Sequence, residues 1–440
     1  VPRTTLALTS FVSGEFGNKL TGRTDFEKYQ SAAKKMENFL VHPQGAATRR
    51  VGTQFIDEVK DSSKKTRLIP FEFSTTQTYI LEFGNQYIRF FKDKGQILSG
   101  GSAYEIASPY LEAELFEIKF AQSADVMYLV HPNHNVRKLS RTGHTSWSLA
   151  TVSFSGSPSL PISGSNNRPS CVSFYEQRLA FAGTNNNPQT IWFSKAGDYE
   201  NFTTGTNADD AMIYTIASNQ VNAIRYLKAQ RTLVVGTSGG EFTVSADGTD
   251  ASITPTNVTI KKQSSYGSAN VDAVAAGNAI LFLQKAKRKI RELAYNFDSD
   301  SYVAPDLTIL NDAVTESGIV QMEWQQEPDN ILWCVRDDGQ LAALTYQRSE
   351  AVVSWHRHIL GGSFGSGNAV VESIASISGV LNEDELWCIV KRTINGSTKR
   401  YVECFSDFNF DETDATDFKF LDSHLTYSGS ATTSLSGLSH

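Results

Sequence analysis

Six cations are the first residues whose type and spacing could do chemistry. Lys285, Lys287, Arg288 and Lys289 stand in the run KAKRKIR, the densest basic stretch of the chain. Arg49 and Arg50 stand together between the apolar runs FLV and Val51–Ile56. Clustered lysine and arginine can neutralise phosphates or meet an acidic partner. The same residues also suit the tip or edge of a solvated hairpin, and both readings stay open for each group.

Other polar patterns fall short of a reactive site. Asp407, Asn409 and Asp411 have D-x-N-x-D spacing, which suits a hard cation. The glycine and the distal glutamate of a calcium loop are missing, so a solvated acidic loop is expected. His131 and His134 flank a Pro-Asn turn. His356 and His358 alternate along one strand and face one side, with no third ligand nearby in sequence. Neither pair by itself makes a metal centre. There is no G-x-S-x-G and no glycine-rich phosphate loop. The expectation is a chain with no catalytic residues, no metal, no cofactor and no small-molecule substrate.

What positions these residues is a repeat. The stretch Gln326–His358 opens with a polar turn, enters an apolar strand at Ile331, reverses at Asp337-Asp338-Gly339, and continues through strands Leu341–Tyr346 and Ala351–His356. Asp-Gly readily takes the positive φ angles of a tight hairpin. Copies recur. QSADVMYLV repeats the entry QEPDNILWCV, Trp147 follows it much as Trp355 follows Ile331, and DELWC repeats LWC. Weaker copies are TYILEFG, QRLAFAG, RTLVVGT and NAILFLQ. Their first strand residues are Ile80, Met127, Leu179, Leu233, Ile280, Ile331 and Leu386, at successive intervals of 47, 52, 54, 47, 51 and 55. One such unit cannot bury its own apolar faces, and this period belongs to propeller blades. The predicted fold is all-β, a propeller of about seven antiparallel blades over residues 78–422. A small N-terminal α+β or β region, residues 1–77, would form a platform or help close the ring. Residues 423–440 would begin a C-terminal segment. Ile331, Trp333, Val335, Leu386 and Cys388 are expected inside.

Composition agrees with a folded chain. Charged residues are 20%, with 31 glycines and 12 prolines among 440 residues, which excludes a disordered class. No apolar run approaches the ~20 residues of a membrane span. The N-terminus lacks the apolar core of a signal peptide, and Val1 rather than Met points to trimming. Cys171, Cys334, Cys388 and Cys404 show no C-x-x-C spacing and read as buried thiols of a protein folded in a reducing cytosol. Near the N-terminus, Asp25 is placed to cap a short helix over Phe26–Phe39.

The run SGEFGNKLTGRTDFEKYQSAAKKMENFLVHPQGAATRRVGTQFI resembles the N-terminus of the tail tubular protein B, or tail nozzle, family of short-tailed bacteriophages. RLIPFEFSTTQTYILEFGNQYIRFF, QSADVMYLVHP and WCVRDDGQLAALTY resemble further landmarks of that group, from Phe11 to about Trp355. The resemblance implies a structural virion protein assembled in the bacterial host cytoplasm. It would form a ring, a hexamer in the phage tail, bound to a tail adaptor and to tail fibres or spikes, through which double-stranded DNA is ejected. Members are usually longer, so residues beyond 440 are expected. With 40 basic and 47 acidic residues each chain carries -7, and six would carry 6 × -7 = -42. Such a ring would let DNA slide, with at most weak, non-specific binding. Two other classes fit the same fold. One is a monomeric propeller scaffold for protein interactions. The other is a propeller glycosidase or capsule depolymerase, for which Arg67-Leu-Ile-Pro70 is a poor match and the repeated S-x-D-x-G-x-T-W boxes are absent.

Overall fold

The second strand of every repeat is an unbroken apolar run, because it is covered on both faces. The computed structural model describes residues 8–156, 167–217, 221–248, 251–379, 383–407, 418–427 and 429–434. In it, all seven anchor residues lie in the second strand of an antiparallel sheet and are at most 3% exposed. Ile331, Trp333, Val335, Leu386 and Cys388 are likewise buried. The fold is an all-β propeller of seven blades.

The chain divides into two compact units. The second unit, residues 17–20 and 106–324, holds four blades of four strands each in simple up-and-down order. They are Lys119–Ser123 through Ser146–Thr151, Cys171–Tyr175 through Met212–Thr215, Ile224–Ala229 through Val258–Ser264, and Val274–Ala276 through Ser301–Val303. Adjacent blades share cores. Val130, Leu179, Phe181 and Trp192 form one, Ala180, Ile191, Leu233 and Val235 a second, and Tyr226, Ile280 and Phe282 a third. Each such valine, leucine, isoleucine or phenylalanine contributes about 1.5–3 kcal/mol on leaving water.

The first unit, residues 1–16, 21–105 and 325–440, holds the other three. One is built on Arg67–Ser74, Gln77–Gly84 and Tyr87–Lys92, ahead of the expected start at residue 78. Another is built on Ile331–Arg336, Leu341–Gln347 and Val352–His358, with Gly14–Glu15 running parallel to the last of these. The third joins the two ends of the sequence. Val370–Ser378, Asp384–Ile394 and Ser397–Phe405 supply three strands, and Thr53–Glu58 pairs antiparallel with Ser397–Phe405 as the fourth. Outside it, the Gly52 amide donates to Lys419 O at 2.7 Å and the His424 amide to Thr53 O at 2.9 Å. A Cβ on Gly52 would sit 1.9 Å from Leu421 O, so only glycine admits this close approach.

The expected helix over Phe26–Phe39 does not form. Only Glu27–Ser31 winds into a 3-10 turn, and Ala32–Ala33 extends to pair with Gly14–Glu15. Asp25 pairs with Arg23 rather than capping, and the Met36 amide donates to Glu15 Oε2. A helix this short is marginal alone, and tertiary pairing overrides its periodicity. All four cysteines are free and buried.

Candidate functional site

In the first unit, a hairpin and two blade strands enclose a cavity of about 550 Å³. Phe39–Val41 and Ala47–Arg49 pair antiparallel around the turn His42–Ala46, as the Pro43–Gly45 signal leads one to expect. This hairpin contributes Leu40, His42, Gln44 and Ala46 to the wall. The entry turn Gln326–Asn330 adds Pro328 and Asp329, and the second strand behind it adds Ile331 and Trp333. The equivalent entry of the last blade adds Glu383, Asp384 and Leu386, and the end of Ser397–Phe405 adds Phe405. The blade repeat itself therefore builds the site, by presenting the same polar entry and apolar strand from two neighbouring sheets.

Its floor is apolar and held in place. Trp333 Nε1 donates to Gln325 Oε1 at 2.7 Å, and the Trp333 ring packs against Phe405 at 5.4 Å between centroids. Its rim is acidic, with Asp329, Glu383, Asp384 and Asp407. Among the described residues no lysine or arginine lines it. Three of these carboxylates are engaged. Asp329 meets His42 Nδ1 at 2.6 Å, with His42 Nε2 2.8 Å from Thr48 Oγ1. Asp384 accepts from the amides of Gln326 at 2.6 Å and Glu327 at 3.1 Å. Asp407 receives Lys94 at 2.8 Å. Glu383 is different. Burial, then repulsion from Asp407, raises its pKa, and Lys94 offsets only part of this. A cation brought by a ligand would relieve that repulsion.

The six cations singled out in the sequence do not converge. Arg50 is 5% exposed and cannot serve as a surface contact. Its guanidinium forms two bonds to Asp422, at 2.7 and 2.8 Å, and donates to Val51 O at 2.6 Å. Burial alone would raise the Asp422 pKa, but Arg50 holds this carboxyl below its ordinary value. The pair locks the C-terminal segment against Gly52 and Thr53. Arg49 is exposed and lies over the Phe420 ring at 5.2 Å. Lys285, Lys287, Arg288 and Lys289 are exposed on the turn joining Ala279–Leu283 to Ile290–Asn296, in the second unit. Lys289 pairs with Asp306 at 2.7 Å and Arg288 with Glu316 at 3.6 Å, so two of these four cations are answered locally. Asn409 and Asp411, needed for the calcium spacing, lie outside the described residues.

The sequence pointed away from the cavity. Its one available signal was the repeated Gln-x-x-Asp entry, read there as a blade marker. His356 and His358 lie in the first unit. Both are fully buried, and His356 Nδ1 lies 2.7 Å from His358 Nε2.

No family model and no curated sequence matches the chain. Among solved structures, it is similar to the WD40 domain of Neurospora crassa Pan2, with TM-score 0.47 and 11% identity over 82% of this chain and 97% of that one. It is similar to the β-propeller domain of Myceliophteria thermophila Cps50 (Swd1), with TM-score 0.47 and 9% identity over 80% and 99%. It is also similar to the WD40 repeats of RRP9, with TM-score 0.47 and 9% identity over 81% and 99%. These findings correct the tail-nozzle assignment: the structures that the chain resembles are WD40 and β-propeller domains. Nothing in these likenesses bears on a hexameric ring, a tail adaptor, fibres or the passage of DNA.

Proposed function

We propose that this propeller is a non-enzymatic scaffold that holds a short segment of a protein partner in the cavity of the first unit. The observation that carries the reading is the cavity's make-up. Trp333, Phe405, Leu40 and Leu386 give an apolar floor, and four carboxylates with no lining cation give the rim. Apolar pockets with a few convergent polar groups are ordinary binding sites. Buried aromatic anchors with charged rims are how interfaces gain affinity and selectivity. The fitting occupant is a peptide that buries one apolar side chain beside a lysine or arginine. Catalysis is disfavoured because Asp329, Asp384 and Asp407 are each tied to a histidine, to backbone amides or to a lysine. A glycosidase needs two carboxyl groups free to act on one bond.

The test is a titration of the full chain, read by calorimetry, with a short peptide holding leucine between two arginines and with its glutamate counterpart. The basic peptide should bind, the acidic one should not, and Glu383→Lys should weaken binding at least tenfold. Binding should also weaken as pH falls through the raised pKa of Glu383, since protonation removes the charge that attracts the ligand. Equal binding of both peptides, or an unaffected Glu383→Lys variant, would sink the reading.

A further inference from the structure

A second cluster of side chains lies in the second unit. His131 and His134 face each other across the antiparallel pair Val126–His131 and His134–Gly143, at the end where Pro132 and Asn133 turn the chain. Directly opposed residues of a hairpin project to the same face, and the two imidazole centroids are 5.1 Å apart. The connection before this blade ends in the 3-10 helix Glu112–Glu117. A 3-10 helix has three residues per turn, so Glu114 and Glu117 lie one above the other. That face meets the histidines. Glu114 Oε2 is 2.8 Å from His134 Nε2, and Glu117 Oε2 is 3.5 Å from His131 Nε2. One donor atom each from Glu114, His131 and His134 falls within 4.8 Å of the others.

Two features separate this cluster from an ordinary surface ion pair. His131 is completely buried, yet its Nε2 has no hydrogen-bond partner among the described residues. A buried polar atom left in that state calls for an explanation. The second feature is shape. The Tyr110 ring stands edge-on to His134 at 5.0 Å and walls the cluster.

We propose that His131, His134 and Glu114, with Glu117 closing the fourth position, bind a zinc ion. Two imidazoles and two carboxylates suit a borderline cation in tetrahedral geometry, with ligand bonds of about 2.0–2.2 Å. Calcium and magnesium prefer oxygen-only shells and are poorly served here. The ion replaces the proton between His134 and Glu114 and fills the orphaned direction of His131. Loading has a cost. The Asn133 amide donates to His131 Nδ1 at 3.1 Å, which places the ring proton on Nε2. That proton must move to Nδ1, and the Asn133 bond is lost, so binding is weaker than in thiolate sites. Once bound, zinc staples the inter-blade 3-10 helix to the tip of the next hairpin.

The experiment uses the full chain after EDTA treatment and dialysis, with zinc sulfate as the probe. Calorimetry should show one zinc per chain, and Glu114→Gln should weaken binding at least tenfold. Substituting cobalt should give the visible absorption of a tetrahedral site with nitrogen and oxygen ligands. His131→Asn could disturb packing, so the part-exposed His134→Gln is the second variant and should bind at least tenfold more weakly. Calcium in hundredfold excess should not displace zinc. No saturable binding by the wild type, or binding unchanged in both Glu114→Gln and His134→Gln, overturns the proposal. So does an octahedral cobalt spectrum.

Discussion

The two histidine pairs of this chain meet opposite fates. His356 and His358 sit two apart on one strand, and every contact they make is sealed inside the first unit. Thr345 Oγ1 donates to Val41 O at 2.7 Å, so it accepts from His356 Nε2 at 3.1 Å. His356 Nδ1 then accepts from His358 Nε2 at 2.7 Å, and Trp333 packs on His358 at 5.1 Å. That order fixes the tautomers, and the lone pair it leaves on His358 Nδ1 has no hydrogen-bond partner among the described residues. His131 and His134 sit three apart across a turn and meet carboxylates instead. Spacing alone did not separate the pairs. What separates them is the neighbouring element: a hydroxyl and a carbonyl in one case, a 3-10 helix with two glutamates in the other.

Acid should break both pairs, and this is the largest effect expected. His131 has its pKa lowered to about 4 and His356 to about 3, burial being the main cause in each. The unfolded chain takes up these protons near pH 6.5, before the folded chain does. Stability is therefore full above about pH 6.5 and falls as pH drops toward 4 and then 3. For His131 the loss is about 3 kcal/mol, and for His356 somewhat more, by about 1.4 kcal/mol per unit of pKa shift. Urea unfolding from pH 7.5 to 4 would measure it. A flat profile would mean that these rings are not held neutral by the fold.

Substitution separates the pairs more sharply. His356→Ala removes the ring that Thr345 and His358 bond, and opens a void beside them. Buried polar and cavity terms together give about 3 kcal/mol at neutral pH. Chemical denaturation of the variant would read this as a shift in midpoint at unchanged slope. A loss below about 1 kcal/mol would show that the site collapses or admits water.

The blades were legible in the sequence and the sites were not, for a physical reason. A second strand covered on both faces must be apolar throughout, so runs such as VMYLV, AILFL and LWCIV announce themselves. Their period fixes the number of blades, and all seven anchors fall where the structure places second strands. Closure was written in no local pattern. Thr53 Oγ1 bonds Glu403 across 350 residues, and Arg50 bonds Asp422 across 372. Arg50 looked like a surface cation because its partner is far away in the chain. Glu114 is the same case at shorter range, since nothing in H-x-x-H says that a helical turn upstream will face it. The misread helix at Phe26–Phe39 shows the converse: periodicity was present, but Gly14–Glu15 offered its residues a better partner.

The smallest effect belongs to His134, and it sharpens the contrast. Its side chain is 20% exposed and pairs with Glu114, whose side chain is 18% exposed. Removing the ring leaves no orphan, because Glu114 Oε2 still accepts from the Leu111 amide at 2.9 Å and water can reach the rest. A part-exposed pair of this kind contributes about 0.2–1 kcal/mol. His134→Gln should therefore unfold within about 1 kcal/mol of the wild type in EDTA. In zinc at a hundred times its dissociation constant, a ligand that binds only the folded chain adds about 2.7 kcal/mol to the wild type. A variant that binds tenfold more weakly still gains about 1.4 kcal/mol there, so the gap between wild type and His134→Gln should widen by at least about 1.3 kcal/mol, while the gap for His356→Ala against its wild-type reference should also widen only if the His356 pair bound the ion. The geometry of the His356 pair says that it does not: both His356 nitrogens and His358 Nε2 are already bonded, and His358 Nδ1 is left alone, with no second free donor beside it in the pair. Equal zinc stabilisation of wild type and His134→Gln, or loss of the zinc effect in a folded His356→Ala chain, would erase the distinction between the two pairs.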